Sequence, residues 1–377
     1  MQQKENGTPR SLVTTSLLLT LLLRLFYSAF GVVAAPYLKL DERLIRSNDF
    51  TDNLIGRDAG WRHALLGVWE RFDTLWYIHI ANYGYDRAEA IVFFPLYPLL
   101  IRIFTPIARE PIAAALLIAT ISTFFLFWGF QKLLLLDLPQ KDVQRALLLL
   151  VVWPPGFIFF AGYAESLLIA LTIWAVYFAR TGRWRLAGAI GCCAGLTKAA
   201  GYCVAAALAI LVWREGRAKL RAAWPAALCL LAPLIVTLIT KLSGHSLASA
   251  AYAKYWRTEI AFPWTTLAAS LEQAATTRDA VLILNLGALA LIFIPVFVKR
   301  LRLEYTLFAA ATLALFLAKK TDPLLQSSVR YVLTVFPGFA SLAAILKHPF
   351  LLALLLVTFV LVNLILLWSF FEWGLIV

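Results

Sequence analysis

Long apolar runs separated by short polar connections dominate the chain. The runs lie near residues 12–35, 94–108, 112–136, 143–160, 163–179, 186–213, 222–242, 280–298, 303–318, 329–346 and 349–371. A membrane-spanning α-helix needs about 20 mostly apolar residues, so this pattern predicts an all-α polytopic membrane protein. We expect about nine to eleven transmembrane or re-entrant helices in a single membrane domain, residues 1–377.

Charged residues are distributed unevenly between the connections. Residues 36–91 form the longest polar stretch and hold much of the acidic complement. Basic residues cluster at Lys141/Arg145, Arg180/Arg183/Arg185, Arg214/Arg217/Lys219/Arg221, Lys299/Arg300/Arg302 and Lys347. Because Lys and Arg are enriched in cytoplasmic loops, we expect these clusters and the N-terminus to lie in the cytoplasm. Residues 36–91 then form a first outer loop.

Two apolar runs cannot be simple spans if this topology holds. The run 186–213 has basic clusters at both ends, yet about 28 residues at about 1.5 Å each cannot cross twice. We therefore predict two short or broken helices that meet at residues 197–201. The same reasoning makes 94–108 a re-entrant or surface-lying helix with both ends outside. Because irregular backbone at membrane depth is tolerated where it lines a cavity, both segments indicate a site on the outer side.

Composition supports the membrane assignment. Of the 377 residues, 62% are hydrophobic and 15% are charged, and the mean hydropathy is +0.79. Soluble domains carry about 25% charged residues, so this chain has too few polar side chains to cover the surface of a soluble globular protein. The net charge of +13 resides in clusters typical of topology signals, so we expect membrane lipids and no nucleic acid as partners. The four cysteines lack metal-ligand spacing and are expected to be small buried residues.

The outer loop contains one stretch with candidate catalytic chemistry, residues 69–85. At 100° per residue, one face of a helix would carry Trp69, Asp73, Trp76, Tyr77 and Ile80. Gly84 is a plausible breaker at the C-terminal end. Two interpretations are open: an interfacial amphipathic helix with a solvated Asp73, or a carboxylate presented to a substrate. His79 lies off this face and is expected to be structural.

Three charged residues lie within or at the ends of apolar runs. Arg24 interrupts the first run and is expected to be paired or snorkelling, with a place in a functional cavity as the alternative. Arg102 follows the aromatic and proline-rich segment 93–98, which is typical of a helix start, and it could meet a phosphate. Glu165 follows Tyr163 and needs a partner or a water-filled cleft. A structural ion pair and a substrate contact are both open for it.

Two cations lie where the topology predicts the outer side. Lys198 belongs to the break in the run 186–213, and Arg330 belongs to the stretch 327–331. Each taken alone could be an exception to the topology rule. Together they are typical of an anion-binding site.

Several motifs occur in a characteristic order. They are Arg71-Phe72-Asp73-Thr74-Leu75-Trp76-Tyr77, Ile80-Ala81, Gly84-Tyr85, Phe93-Phe94-Pro95-Leu96-Tyr97-Pro98 and Tyr163-Ala164-Glu165-Ser166. Weaker matches are Trp256-Arg257, Pro263-Trp264, Arg330-Tyr331 and Phe336-Pro337. This combination resembles the PIG-V mannosyltransferase family of the GT-C class of glycosyltransferases. Two residues depart from the usual pattern of that family. Phe72 stands where the family usually has Trp, which keeps an aromatic residue there. Lys198 stands where an Arg is more usual, and Lys lacks the planar fork that binds a phosphate through two hydrogen bonds.

The resemblance implies a GT-C fold with membrane-parallel helices in the outer loop and a sugar donor linked to polyprenyl phosphate. It implies Asp73 as the catalytic base, with Lys198, Arg330 and Arg102 near the leaving phosphate. The other substrate-binding candidates are Trp76, Tyr77, Tyr163, Glu165, Trp256, Arg257 and Tyr331. We expect no cofactor and no metal, because a phosphate leaves readily and no DxD motif is present.

The function implied is transfer of a hexose, mannose by resemblance, to an acceptor hydroxyl on the non-cytoplasmic face, with inversion. The acceptor class stays open between glycan, lipid and protein. The short chain suggests a bacterial plasma membrane. The alternatives are a transporter or flippase for a lipid or amphiphile, which would also use broken helices, and a non-catalytic scaffold on the same fold.

Overall fold

The computed structural model describes residues 9–46, 48–215, 223–245, 248–299 and 301–374. Within these ranges the chain is almost entirely helical, which confirms the all-α prediction. Their one sheet pairs β1 (Thr258–Ile260) antiparallel with β2 (Lys319–Thr321). Four basic residues of the predicted topology lie outside the described ranges: Arg217, Lys219, Arg221 and Arg300.

The α-helices follow one another with short 3₁₀ turns between them. In chain order they are α1 Pro9–Ala34, α2 Glu42–Arg46, α3 Trp61–Leu65, α4 Asp73–Tyr83, α5 Leu96–Ala108, α6 Pro111–Leu134, α7 Gln140–Val151, α8 Glu165–Arg180, α9 Trp184–Thr197, α10 Val204–Glu215, α11 Leu231–Leu242, α12 Ala248–Tyr255, α13 Pro263–Thr277, α14 Ala280–Lys299, α15 Leu303–Leu317, α16 Ser328–Tyr331, α17 Phe336–Ile345 and α18 Pro349–Phe371.

Several helices are long and apolar enough to cross a membrane. In the described part of the chain there are five: Arg10–Tyr37, Pro111–Leu134, Trp224–Leu242, Ala280–Lys299 and Pro349–Phe371. A sixth span results if Ser328–Thr334 and Phe336–Ile345, bent by 87°, are counted as one. Shorter apolar helices lie between them. The chain is therefore an integral multi-pass membrane protein, while nine to eleven embedded segments and the GT-C fold stay predictions.

The predicted break in the run 186–213 is confirmed. Helix α9 ends at Thr197, Lys198 is fully extended with φ −165° and ψ 154°, and a 3₁₀ turn leads into α10. Small residues let α9 lie close to its neighbours: a Cβ on Gly195 would overlap the side chains of Ala232 and Tyr202. Lys198 therefore lies at a turn inside the protein.

One end of the bundle gathers three of the basic clusters. Arg180, at the C-terminus of α8, donates to Asp137 and lies 3.6 Å from Glu304. Arg214 and Arg302 approach the same Glu304 at 3.3 and 3.0 Å. Helix α8 has 16 residues and is therefore about 24 Å long. This end lies roughly that far from Glu165, at the start of α8.

The outer loop is anchored to the bundle by a buried cation. The Arg71 guanidinium donates to the Phe371 carbonyl oxygen at 2.9 and 3.1 Å and to the Gly67 oxygen at 2.9 Å. The helix predicted to include Trp69 begins only at Asp73. The prediction was wrong there because Phe72 adopts a left-handed φ of 46°, which no periodicity argument detects. The predicted end at Gly84, with φ 76°, is confirmed.

Arg24 is paired, as one of its two interpretations required. Its guanidinium donates to the Thr120 hydroxyl at 3.0 Å and to the carbonyl oxygens of Leu116 and Phe160 at 3.2 and 2.8 Å. It also lies over the ring of Trp69 at 5.7 Å. Arg24 therefore joins α1 to α6 as a structural residue.

Candidate active site

Asp73 is the first residue of α4, where the chain turns sharply. The carboxylate benefits from the positive end of the helix dipole. The adjacent loop approaches closely, because a Cβ on Gly162 would overlap the Thr74 side chain. This close approach places the ring of Tyr163 next to the first turn of α4. Asp73 is thus held by local geometry at the edge of the packed core.

Four charged side chains form a continuous chain of alternating sign. Asp73 Oδ2 lies 3.1 Å from Arg330 Nη1, and Arg330 Nε lies 3.4 Å from Glu165 Oε1. The same Glu165 oxygen accepts a hydrogen bond of 2.7 Å from Lys198 Nζ. The Glu165 side chain is 1% exposed and that of Asp73 is 19% exposed. Of the two acids, Asp73 is therefore the one accessible to a ligand in the cleft.

Tyrosine rings enclose the cations of this charge chain. The Arg330 guanidinium carbon lies 5.1 Å from the Tyr163 ring centroid and 5.0 Å from that of Tyr331. Lys198 Nζ lies 5.3 Å from the Tyr331 centroid. The hydroxyl of Tyr331 accepts a hydrogen bond of 3.2 Å from Arg330. Cation–π contacts of this kind help to hold a cation in place.

Two clefts open onto the charge chain. The Asp73 cleft, of about 360 Å³, is lined by Asp73, Trp76, Tyr163 and Arg330 among others. The Lys198 cleft, of about 130 Å³, is lined by polar and aromatic residues that include Glu165, Lys198, Tyr252, Lys319 and Ser328. The two clefts share four lining residues: Trp256, Gln326, Ser327 and Tyr331. The carboxylate and the lysine thus face adjoining spaces.

Aromatic side chains form one wall of the Asp73 cleft. The Trp76 ring is stacked on Phe93 with centroids 5.3 Å apart and lies 5.5 Å from Trp256. Tyr77 is only 1% exposed and packs edge-on against Tyr97. Trp76 and Trp256 therefore present surfaces to a ligand, whereas Tyr77 supports the wall from behind.

The structure does not bring every predicted residue to the site. Arg102 and Arg257 are exposed and line neither cleft. His79 pairs with Asp86 at 2.7 Å and stacks on Phe50, in keeping with its expected structural role. The remaining predicted residues meet around the two clefts: Asp73, Trp76, Tyr163, Glu165, Lys198, Trp256, Arg330 and Tyr331, with Tyr77 behind the wall.

Sequence reasoning missed Lys319 and the residues around it. Lys319 Nζ lies 4.3 Å from the Tyr252 ring centroid, and both residues line the Lys198 cleft. The only signal was a Lys-Lys pair directly after an apolar run. Strand β2, which pairs with β1 through Ile260 and Lys319, holds Lys319 at the Lys198 cleft, whereas Lys320 lines neither cleft.

The charges lining the two clefts do not cancel. The described lining residues include the cations Lys198, Lys319 and Arg330 against the anions Asp73 and Glu165. The clefts together therefore carry an excess of one positive charge. In the described residues, no group of three or more His, Cys, Asp or Glu side chains could hold a metal ion.

Membrane spans around a recessed cleft with paired acids and cations define a multi-pass membrane protein with a polar site inside its bundle. A family model described as mannosyltransferase (PIG-V) matches residues 14–213, slightly more than half of the chain. The chain therefore belongs to the PIG-V mannosyltransferase family, which implies a membrane glycosyltransferase. No curated protein and no solved structure matches it.

The family match and the charge chain overlap only in part. Asp73, Glu165 and Lys198 lie inside the matched range, whereas Arg330 and Lys319 lie beyond it. Nevertheless Arg330 makes the direct contact with Asp73. The candidate site thus combines residues from the matched N-terminal part of the chain with residues from the C-terminal part beyond it.

Proposed function

We propose that this protein transfers a hexose, mannose by family membership, from a polyprenyl-phosphate-linked donor to an acceptor hydroxyl on the non-cytoplasmic face. The observation that carries the proposal is the contact of 3.1 Å between Asp73 and Arg330 in the Asp73 cleft, which adjoins the Lys198 cleft. In this contact a carboxylate, which can accept a proton, lies next to a cation, which can bind a phosphate.

Asp73 is the proposed general base. Transfer requires removal of the proton from the acceptor hydroxyl, and a positioned carboxylate typically contributes about 10²- to 10⁴-fold to such a step. In the resting site, Arg330 neutralises Asp73. When a donor phosphate draws Arg330 toward itself, the carboxylate is freed for the hydroxyl. Attack in line with the leaving phosphate inverts the anomeric centre.

The Lys198 cleft is the proposed place for the donor phosphate. The leaving group is a phosphate, so stabilising its growing charge matters more than protonating it. A phosphate diester carries one negative charge, which the excess positive charge of the two clefts balances. Lys198, Lys319 and Arg330 supply the donors, while Trp76 and Trp256 offer faces on which a sugar ring can stack.

The proposed face follows from the opposite end of the bundle. Arg180, Arg214 and Arg302 meet there, and clustered Lys and Arg mark the cytoplasmic side of membrane proteins. The site, at the other end of α8, then lies outside. Cytoplasmic nucleotide sugars are not delivered to that side, whereas a lipid-linked donor can reach the clefts from the bilayer.

A transfer assay with purified protein tests the proposed reaction. We expect transfer from a polyprenyl-phosphate hexose to added acceptors, no transfer from a nucleotide sugar, and little effect of EDTA. Metal-dependent transfer from a nucleotide sugar alone would contradict the donor assignment. Movement of the lipid-linked sugar across the bilayer without any transfer would favour the transporter.

Single-cysteine labelling tests the face. In a background without the four native cysteines, Lys320→Cys beside the clefts should react with an impermeant reagent only from outside. Lys141→Cys, near the Asp137 end, should react only from inside. The reverse pattern would place the site in the cytoplasm.

A further inference from the structure

An apolar groove lies on the surface of the bundle, between α5, α6, α8 and α9. Its volume is about 500 Å³, and Ser122 is the one lining residue that is neither aliphatic nor aromatic. Along α8 the lining extends from Leu167 to Phe178, a length of about 17 Å. That is roughly half of the 30 Å hydrocarbon thickness of a bilayer. The groove therefore has the reach of one acyl chain in one leaflet.

The groove is separate from the two clefts. It shares no lining residue with either of them. Tightly packed residues lie between, of which Tyr97, Ile101, Ala115 and Ala164 have no exposed surface. A donor lipid bound at the clefts therefore has no open path into the groove.

Two cations mark the end of the groove that is remote from the clefts. Lys132 Nζ lies 5.3 Å from the ring centroid of Trp128, and the Arg183 guanidinium carbon lies 5.9 Å from that of Phe178. Both rings line the groove. A cation–aromatic pair of this kind is typical of headgroup level, where the ring faces lipid and the charge faces the interface.

The floor of the groove is fixed near these cations. Trp174 Nε1 donates a hydrogen bond of 2.9 Å to the Phe125 carbonyl oxygen. The indole can lie there because residue 129 is glycine: a Cβ at Gly129 would approach Trp174 Nε1 to 2.7 Å. The aromatic floor is thus built into the contact between α6 and α8.

We infer that this groove binds an anionic phospholipid. Its phosphate contacts Lys132 and Arg183, and one acyl chain lies along α8 toward Leu167. Charge complementarity at one end favours this occupant over a zwitterionic lipid, and the interior, apolar except for Ser122, suits its acyl chain. The inference is independent of the proposed reaction, because the groove lies outside the clefts.

Binding of phosphatidylglycerol and phosphatidylcholine to the delipidated full-length protein, measured by native mass spectrometry, tests the inference. Wild type should prefer phosphatidylglycerol. Lys132→Ala and Arg183→Ala should each lower that affinity about fivefold, the contribution of one cation near an anionic lipid surface. Lys141→Ala, an exposed cation that lines no part of the groove, should leave it unchanged. Equal binding of both lipids by wild type, or an equal loss in Lys141→Ala, would overturn the inference.

Fluorescence quenching by phosphatidylglycerol with brominated acyl chains tests where the acyl chain lies. Quenching of tryptophan fluorescence should be strong in wild type and reduced in Trp174→Phe, since bromine atoms quench indoles in contact with the acyl chain. Leu171→Trp, which fills the groove, should exclude the lipid while the protein still melts cooperatively. Competitive loss of quenching on adding a polyprenyl phosphate would assign the groove to the donor and contradict the inference.

Discussion

Two buried charge clusters lie at opposite ends of α8, and they differ in how completely their groups are satisfied. At the far end, Asp137 accepts hydrogen bonds from Arg180 and from the Tyr305 hydroxyl, at 2.9 and 2.8 Å. Glu304 pairs with three arginines. None of these residues lines either cleft or the groove. This cluster is closed, and it joins the turn after α6 to α8, α10 and the start of α15.

The cluster at the clefts is open. Asp73 has a single ion-pair partner in the described residues, Arg330. Two buried atoms beside it, Glu165 Oε2 and Ser166 Oγ, have no hydrogen-bond partner there. Burying such atoms without partners costs stability. Similar ion pairs thus differ in their surroundings: those at the far end are fully satisfied inside the protein, whereas those of Asp73 and Glu165 adjoin a cleft and leave buried polar atoms without partners.

The largest expected effect is that of Asp73→Asn on the transfer rate. Loss of the base should lower turnover by about 10²- to 10⁴-fold. The melting temperature should stay near that of wild type, because Asp73 faces the cleft and Arg330 keeps its contact with Glu165. Turnover would be measured with purified protein and a lipid-linked hexose. A variant that keeps more than about a tenth of the wild-type rate would refute the role of Asp73 as base.

The far cluster should respond in the opposite way. Asp137→Asn removes a buried negative charge that Arg180, Arg302 and the Tyr305 hydroxyl contact. In the described residues Arg180 then keeps only Glu304 as an ion-pair partner, at 3.6 Å, which it shares with two other arginines. Loss of a buried partner charge typically costs about 3–5 kcal/mol. Thermal unfolding should therefore shift strongly, while the folded fraction retains its turnover. Glu42→Gln, in an ion pair whose side chains are 80–81% exposed, is the control and should change neither quantity. A loss of turnover without a loss of stability would place Asp137 in the active machinery.

Substitution of the cations in the clefts should affect the KM for the donor more than the KM for the acceptor. Arg330→Ala and Lys198→Ala each remove a charge-assisted contact, so the KM for the donor should rise by about 10- to 100-fold and exceed any change for the acceptor. Arg102→Ala and Lys320→Ala, both exposed, are matched controls with unchanged KM. An increase in Arg102→Ala equal to that of Arg330→Ala would favour the sequence-based expectation over the structural placement.

The smallest expected effect concerns Glu70, a buried acid of the outer loop. Its carboxylate accepts the backbone N–H of Ile55 at 2.8 Å, and burial raises its pKa from 4.5 to about 7. The folded state thus binds more protons than the unfolded state between these values, so stability should fall as pH rises from about 4.5 to 7. Glu70→Gln should flatten that slope in thermal melts. An unchanged slope would mean that Glu70 does not cause it.

The amino-acid sequence alone predicts the membrane class, the break at Lys198 and the end of α4 at Gly84. These features depend on local composition, charge placement and backbone preference, which a short window of residues contains. The pattern around Asp73 left a solvated surface acid and a substrate-facing carboxylate both open, and the family resemblance favoured the second. Family membership likewise followed from motifs within the first half of the chain.

Which charged residues meet depends on the three-dimensional fold. It paired Asp73 with Arg330 from the other half of the chain, brought Lys319 in through β2, and left Arg102 and Arg257 on the surface. It also began α4 at Asp73, through the left-handed backbone of Phe72. The physical reason is that packing sums many weak contacts between distant segments, and no local pattern records which segments those are.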